Sequence, residues 1–475
     1  MIPNCLSVRD LRYFSAALPL LLAALFCPGT ALGQVPDLTA GEARTSSTST
    51  WTINLGPTGL RGWVYHERQG GGVDTSQSRQ IEILEVDPSS PADGTFAVDD
   101  VILGADGTGA EPVLFTGDAR KEFAYAIAEA EAHEPAILEV LRWRDGTTTT
   151  ETLTLQHMGA YSATAPYDCP KSALILQQGL QAILSSGESS GRFSFGALSL
   201  LAANDPNDPD NATRMARARS QVRSLVPDEA TRVQMMSDQR DDNSMIAWER
   251  GHTLIVLAEY YLLTGDTDVL PGIEAYAVNI AKNHSLFGST GHIYAEKQLD
   301  GSANGSLRGV YGAVNSAGLP TFMGLLLARE CGIDDPTIEP AIQRSSGFFA
   351  YYAGKGAIPY GEHKPEWHGH ESNGKSGLAA LAFMLEDGRA DAAKFYGQMA
   401  TAATSEREVG HTGPYFNYLW APMGAASAGE AAAAAQAENP EMKIMPTSTL
   451  TRRLTSIVLI LVIGIMFHSC CWNSP

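Results

Sequence analysis

The chain has 475 residues, 44% of them hydrophobic, which is room for two or three domains with ordinary cores and argues against a disordered polymer. Its formal net charge of -20 at pH 7 counts against nucleic acid, polyanionic glycan and anionic membrane surfaces as main partners, because phosphate or sulfate would be repelled. Of six cysteines, Cys5, Cys27, Cys470 and Cys471 lie near the two ends; the remaining pair, Cys169 and Cys331, leaves one disulfide open but excludes a disulfide framework or a multi-cysteine metal site.

The N-terminus reads as a secretory signal over residues 1–33: Arg9 and Arg12, an apolar run from Phe14 to Phe26, then the small residues Ala31 and Gly33. A linker over 34–49 follows. From Trp51 short strands are expected at Thr52 to Leu55, Gly62 to His66, Ile81 to Val86, Asp100 to Gly104, Ala136 to Trp143 and Thr148 to Leu155. Asp145-Gly146 marks a tight hairpin between the last two. One amphipathic helix, Asp118 to Ala132, starts at a capping aspartate and puts Phe123, Ile127 and Ala130 on one face. The polar, glycine-rich stretch Gln69 to Ser78 predicts a mobile loop.

After Pro166 the apolar period becomes helical. Helices are predicted at Lys171 to Ser185, Phe193 to Ala203, Ala212 to Leu225, Ser244 to Leu263, Val269 to Asn283, Leu319 to Cys331, Thr337 to Tyr352, Lys375 to Leu385, Ala390 to Thr404 and Gly424 to Ala437. Such paired helices with short connections predict a ring of helical hairpins, an α/α toroid, over 166–438. The fold class is therefore α+β and multidomain. Beyond it, residues 445–475 hold the apolar run Leu454 to Phe467, short of the roughly 20 residues a spanning helix needs. Arg452 and Arg453 precede that run and no lysine or arginine follows it, the wrong polarity for an exported body. Two readings stay open: a short membrane anchor, or a segment foreign to the folded body from Met445 onward.

The stretch IEILEVDPSSPADGTFAVDDVILGADG, Ile81 to Gly107, with the elements around it, resembles a PDZ domain over residues 50–157. The resemblance implies a loop, Gly56 to Gly62, whose amides receive a peptide C-terminal carboxylate, with Gly59, Leu60, Arg61, Gly62 and Trp63 as peptide-binding residues and the peptide added as a strand. The stretches WERGHTLIVLAEYYLLTGD (Trp248 to Asp266), VNSAGLPTFMGLLLARECGI (Val314 to Ile333), AIPYGEHKPEW (Ala357 to Trp367) and REVGHTGPYFNYLWAPMGA (Arg407 to Ala425) are similar to an uncharacterised exported bacterial family. Its members join a PDZ-like domain to a toroid related to terpene-cyclase and prenyltransferase barrels, and no activity comes with that resemblance.

The densest polar cluster, Tyr360, Glu362, His363, Glu366, His368, His370, Glu371, Asn373 and Lys375, falls in a predicted loop. A glutamate and a histidine there suit general acid/base work, and the histidines suit a divalent metal, but the spacing matches no metal motif and loops collect polar residues anyway. Glu249, Arg250 and His252 at a helix start, His292, Tyr294 and Glu296 in a glycine-bounded loop, and His411 with Tyr415 at the last aromatic helix complete the candidates. The catalytic set is Glu249, His252, His292, Glu362, His363, His370 and His411, each with the plainer alternative of a cap or a buried hydrogen-bonding group. Trp248, Trp367, Tyr415, Phe416, Tyr418 and Trp420 suit either sugar stacking or core. No DxDD acid for terpene cyclisation and no Cys-Cys-His zinc set is found, and Pro206 and Pro209 break the calcium-like run Asp205 to Asp210.

The expectation is an exported, periplasmic or extracellular protein, without metal or cofactor, that holds a protein or peptide C-terminus in its first module and an undefined ligand in its toroid. The alternative is a glycan-active hydrolase or lyase working at the toroid mouth. Nucleic acid is not expected as a partner, and membrane association would run through Leu454 to Phe467.

Overall fold

The computed structural model describes residues 37–38, 52–69, 72–185, 196–237, 245–296, 312–365, 372–402 and 414–437. The expected signal and the apolar tail lie outside them. No helix among the described residues is long and apolar enough to cross a membrane.

The N-terminal part is an antiparallel sheet. Its strands are β1 (Ile53–Asn54), β2 (Leu60–Trp63), a separate ribbon of β3 (Glu67–Gln69) and β4 (Gly72–Asp74), then β5 (Ile81–Val86), β6 (Val101–Asp106), β7 (Ile137–Arg144) and β8 (Thr147–Thr154). The sheet order is β1-β2-β5-β6-β7-β8. Alternation drives the pairing: β7 turns Leu138 and Val140 into the core, and its neighbours Ile137 and Glu139 are only half-buried. Asp145 and Gly146 carry positive φ of 48° and 84°, the left-handed pair that a two-residue hairpin between Arg144 and Thr147 requires. Helix α1 (Ala119–Ala130) packs on β6 and β7. Asp118 caps it by accepting from the Arg120 amide, and Phe123, Ile127 and Ala130 fill the core beneath, as the 3.6-residue period dictates. Burying Phe123 completely is worth about 2–3 kcal/mol.

Of the stretch expected as a mobile loop, Gln69 to Ser78, the described residues form strand and turn; Gly70 and Gly71 lie outside them. β4 within it pairs with β3, which ends at its first residue, and Thr75 and Ser78 donate to the Asp118 carboxylate at 2.6 and 3.3 Å. Arg79 donates to the carbonyls of Ser76, Ser78 and Gly117, so the segment is fastened to the start of α1. Thr75 and Ser78 serve there as partners of the helix cap, which composition alone does not separate from mobility.

The C-terminal part is helical: α2 (Pro170–Ser185), α3 (Gly196–Ala202), α4 (Asn211–Arg223), α5 (Glu229–Met236), α6 (Ile246–Thr264), α7 (Leu270–Asn283), α8 (Asn315–Glu330), α9 (Ile338–Ala350), α10 (Ser372–Met384), α11 (Ala390–Ala402), α12 (Pro414–Ser427) and α13 (Glu430–Ala437). One series packs in succession, α3 on α6, α6 on α8, α8 on α10 and α10 on α12, while α4, α7, α9, α11 and α13 pack beside them. The series is apolar on nearly every side: in α8 each residue from Asn315 to Ala328 is buried. Close approach of α10 to α12 depends on Gly377 and Gly424, since a Cβ on Gly377 would fall 2.1 Å from the Trp420 carbonyl oxygen. The single helix expected over Gly424 to Ala437 is divided at Gly429, whose φ of 112° ends α12 and lets α13 begin. α5 had no counterpart among the predicted helices.

The two parts meet at a buried ion pair. Lys171, in the first turn of α2, and Glu131, just after α1, are both sequestered from water and stand 2.6 Å apart. The Lys171 ammonium also sits 4.6 Å from the centre of the Tyr161 ring, and the Glu131 carbonyl accepts the amides of Met158 and Gly159. Cys169 precedes α2 and Cys331 follows α8; both are free and buried, so the disulfide left open by the sequence is not formed.

Candidate functional site

The first turns of α6 carry the most connected candidates. Trp248 donates its indole N–H to His292 Nδ1 at 3.0 Å, and because indole is only a donor, His292 Nδ1 is the acceptor nitrogen. His252 Nδ1 lies 2.8 Å from the Trp248 carbonyl, which only accepts, so this nitrogen carries the proton. The two imidazoles thus hold opposite tautomers around one indole, His292 at its N–H edge, with ring centres 6.2 Å (His292) and 6.4 Å (His252) from it. Phe416 and Trp420 of α12 close the cluster, at 6.2 Å from Trp248 and 6.4 Å from His252 respectively.

That packing assigns three of the aromatic candidates, Trp367 and the side chains of Tyr415 and Tyr418 lying outside the described residues. Trp248, Phe416 and Trp420 are buried and in contact with other rings, so they belong to the core rather than to a sugar-stacking surface. His252 is equally sealed, and burial drives its pKa down to about 4. At neutral pH it is an uncharged packing residue. His292 and Glu249 are half-buried, and Glu249 lies with Arg250 in electrostatic reach of Tyr276 on α7.

A second group gathers at the start of α8. Asn315 donates to the carbonyls of Pro359 and Gly361 at 2.9 and 3.0 Å, and its amide donates to the Tyr360 carbonyl. Val314 N–H reaches the Thr290 carbonyl, and the exposed Glu362 accepts from the Ala313 amide at 3.0 Å. Gly291 packs on the Gly312 carbonyl and Glu362 packs on Gly312 itself, so the loops bearing His292 and Glu362 adjoin at that glycine. His363 is exposed on the same loop. The structure therefore brings Glu249, His252 and His292 to the start of α6 and Glu362 with His363 to the adjoining start of α8. His370 and His411 lie outside the described residues, as do Glu366, His368 and Glu371. Lys375, grouped with the polar loop and also the first residue of the helix predicted over Lys375 to Leu385, sits in the first turn of α10 and is fully buried. Among the described residues no three metal-ligating side chains cluster.

At the sheet, the loop before β2 is internally bonded. Gly59 N–H donates to the Gly56 carbonyl, Leu60 N–H to Thr58 Oγ1 at 3.2 Å, and Gly56 N–H to Asn54 Oδ1 at 3.1 Å. Arg61 forms ion pairs with Glu85 at 2.8 Å and Asp87 at 3.1 Å. Arg61 and Gly62 pair with β1 on one side and β5 on the other. Trp63 is buried and pairs with Glu82 of β5.

Two perturbed groups carried no sequence signal, His284 fully buried and Glu259 half-buried. His284 is enclosed by Thr321 of α8 and Ser345 of α9, at 3.3 and 3.4 Å, and burial with nearby Arg344 lowers its pKa to about 3. Glu259, about two turns beyond His252 on α6, has its carboxyl pushed up to about 7 by desolvation. An isolated histidine or glutamate in a helical pattern reads as a surface residue until the partners of that face are known.

Residues 172–456 match a family model described as a domain of unknown function, DUF6288, and with more than half of its length matched the chain belongs to that family. The match begins next to Lys171, leaves the sheet outside, and runs past Met445, across the start of the segment that sequence reading set apart. No curated protein and no solved structure matches the chain.

Proposed function

Starting from membership of a family without an assigned activity, we propose that this is an exported protein-binding molecule. Its sheet is a PDZ-like module that takes an extended polypeptide beside α1, and its helices form an α/α toroid-like platform. The observation that carries the reading is the limit of the β1 ladder. β1 pairs with Arg61 and Gly62 and goes no further, whereas β5 continues to Trp63. By the register of β1, Thr52 stands opposite Trp63; among the described residues no strand covers the outer edge of Val64 to His66, and a peptide strand there would continue the ladder beyond β1. The alternation of successive core helices with flanking ones supports the toroid.

A second reading, a glycan-active hydrolase or lyase, is favoured by the adjoining loops of His292 and Glu362 at one end of the helices. Against it stand the burial of Trp248, Phe416 and Trp420, and the low pKa of His252. Screening the full chain against a random peptide library and a glycan array separates the two. The binding reading expects peptides enriched with dissociation constants of roughly 1–100 μM, the range of a single short strand in a groove. Glycan capture or cleavage with no peptide enrichment would replace it with the second reading.

A further inference from the structure

We propose that the groove of the sheet selects an internal, basic stretch of polypeptide and does not select a free C-terminal carboxylate. The inference rests on the peptide-binding reading and names the ligand class of that same site. A carboxylate pocket needs backbone N–H groups that converge on empty space and a positive charge left over for the ligand. Here the Gly59 and Leu60 amides are already donating within the loop, and the loop carbonyls of Thr58 and Gly59 hold the amides of Ala92 and Asp87. The loop is thus locked in its internally bonded form. A Cβ on Gly59 would fall 2.1 Å from that of Ser90, which shows how closely the loop lies on the turn that follows β5.

The charge has the wrong sign for an anion as well. Arg61 is the cation that would attract a carboxylate, yet it is bracketed by Glu85 on the paired strand and Asp87 just after it. One guanidinium against two carboxylates leaves the loop end with net negative charge. Glu85 is about half exposed, at 55%, and remains available to a second cation. A lysine or arginine of the ligand placed there is attracted, whereas a terminal carboxylate is repelled and must also break an existing ion pair.

The test uses the full chain and peptides enriched from the library, each made with a free carboxylate and as the C-terminal amide, with and without one basic residue. Amidation is expected to change affinity less than about twofold, and removal of the basic residue to weaken it roughly threefold to tenfold, the scale of one or two partly exposed charge pairs. Raising ionic strength should weaken the basic peptides selectively. The double variant Glu85→Gln, Asp87→Asn releases Arg61 and is expected to lose the basic preference while gaining for free carboxylates. A wild-type preference of tenfold or more for the free carboxylate over the amide would overturn the inference and leave peptide binding intact. A library from which no peptide binds would overturn the peptide-binding reading itself.

Discussion

Replacing Lys171 by methionine is expected to destabilise the protein by about 3–5 kcal/mol, the cost of leaving one member of a buried pair uncompensated. Glu131 would lose its 2.6 Å partner in a site closed to water, and its carboxyl, already pushed up by burial against the opposing pull of Lys171, would be pushed further toward the neutral form. The ammonium's stacking on Tyr161 would go too. The double variant Lys171→Met, Glu131→Leu removes both charges and is expected to recover most of the loss, because apolar pairs of similar volume commonly replace buried ion pairs at little cost. Chemical unfolding of the wild type, both singles and the double measures this directly. A loss in the double variant equal to the sum of the two single losses would mean that the two side chains act independently and that the pair does not join the sheet to the helices. Since the pair links the end of α1 to the start of α2, its single variants should also raise protease cleavage between residues 157 and 169.

Acid should destabilise the helical part, and by an amount set by opposing titrations. His252 and His284 have folded pKa values lowered to about 4 and about 3, so the unfolded chain binds more protons than the folded one as pH falls below about 6.5. Their stability contribution is complete at neutral pH and declines on acidification. Each costs about 2 kcal/mol by pH 5, roughly 4 together. Glu259 acts in the opposite sense: with its carboxyl raised to about 7, the folded state binds the extra proton, and stability falls as pH rises from about 4.5 to 7. That returns about 2 kcal/mol on going from pH 7 to 5, so the histidines win by about 2 kcal/mol. Glu259→Gln removes the opposing contribution. The variant should be more stable than wild type at pH 8 and should lose roughly 4 kcal/mol between pH 7 and 5. Unfolding curves at four pH values check both slopes, and identical pH profiles for variant and wild type would contradict the assignment to Glu259.

Much of the backbone was legible because its signals are local. Asp118, Asp145-Gly146 and the short apolar run in Ile81 to Val86 each fix a cap, a turn or a strand through neighbours in sequence. Gly429 was legible only as one more small residue in an alanine-rich run, and its left-handed conformation appears with the break between α12 and α13. Candidate sites fared differently, since they depend on what packs against a face. His252 and His292 read alike as helix-end or loop histidines, yet one is sealed against Trp420 while the other is half-buried and accepts the Trp248 proton. Arg61 was legible as a charge, but the two acids that hold it come from β5 and the turn after it, more than twenty residues away. Lys171 opened a predicted helix with nothing to mark it as buried, because Glu131 belongs to the preceding module.

The central claim is that the sheet holds an extended polypeptide. Its most direct test is amide hydrogen exchange on the full chain, with and without the tightest peptide from the library. Strand addition predicts slower exchange at Trp63 to His66 and along α1, with the starts of α6 and α8 unchanged. Protection confined to the starts of α6 and α8, with none at Trp63 to His66, would contradict it and move the binding site to the helices.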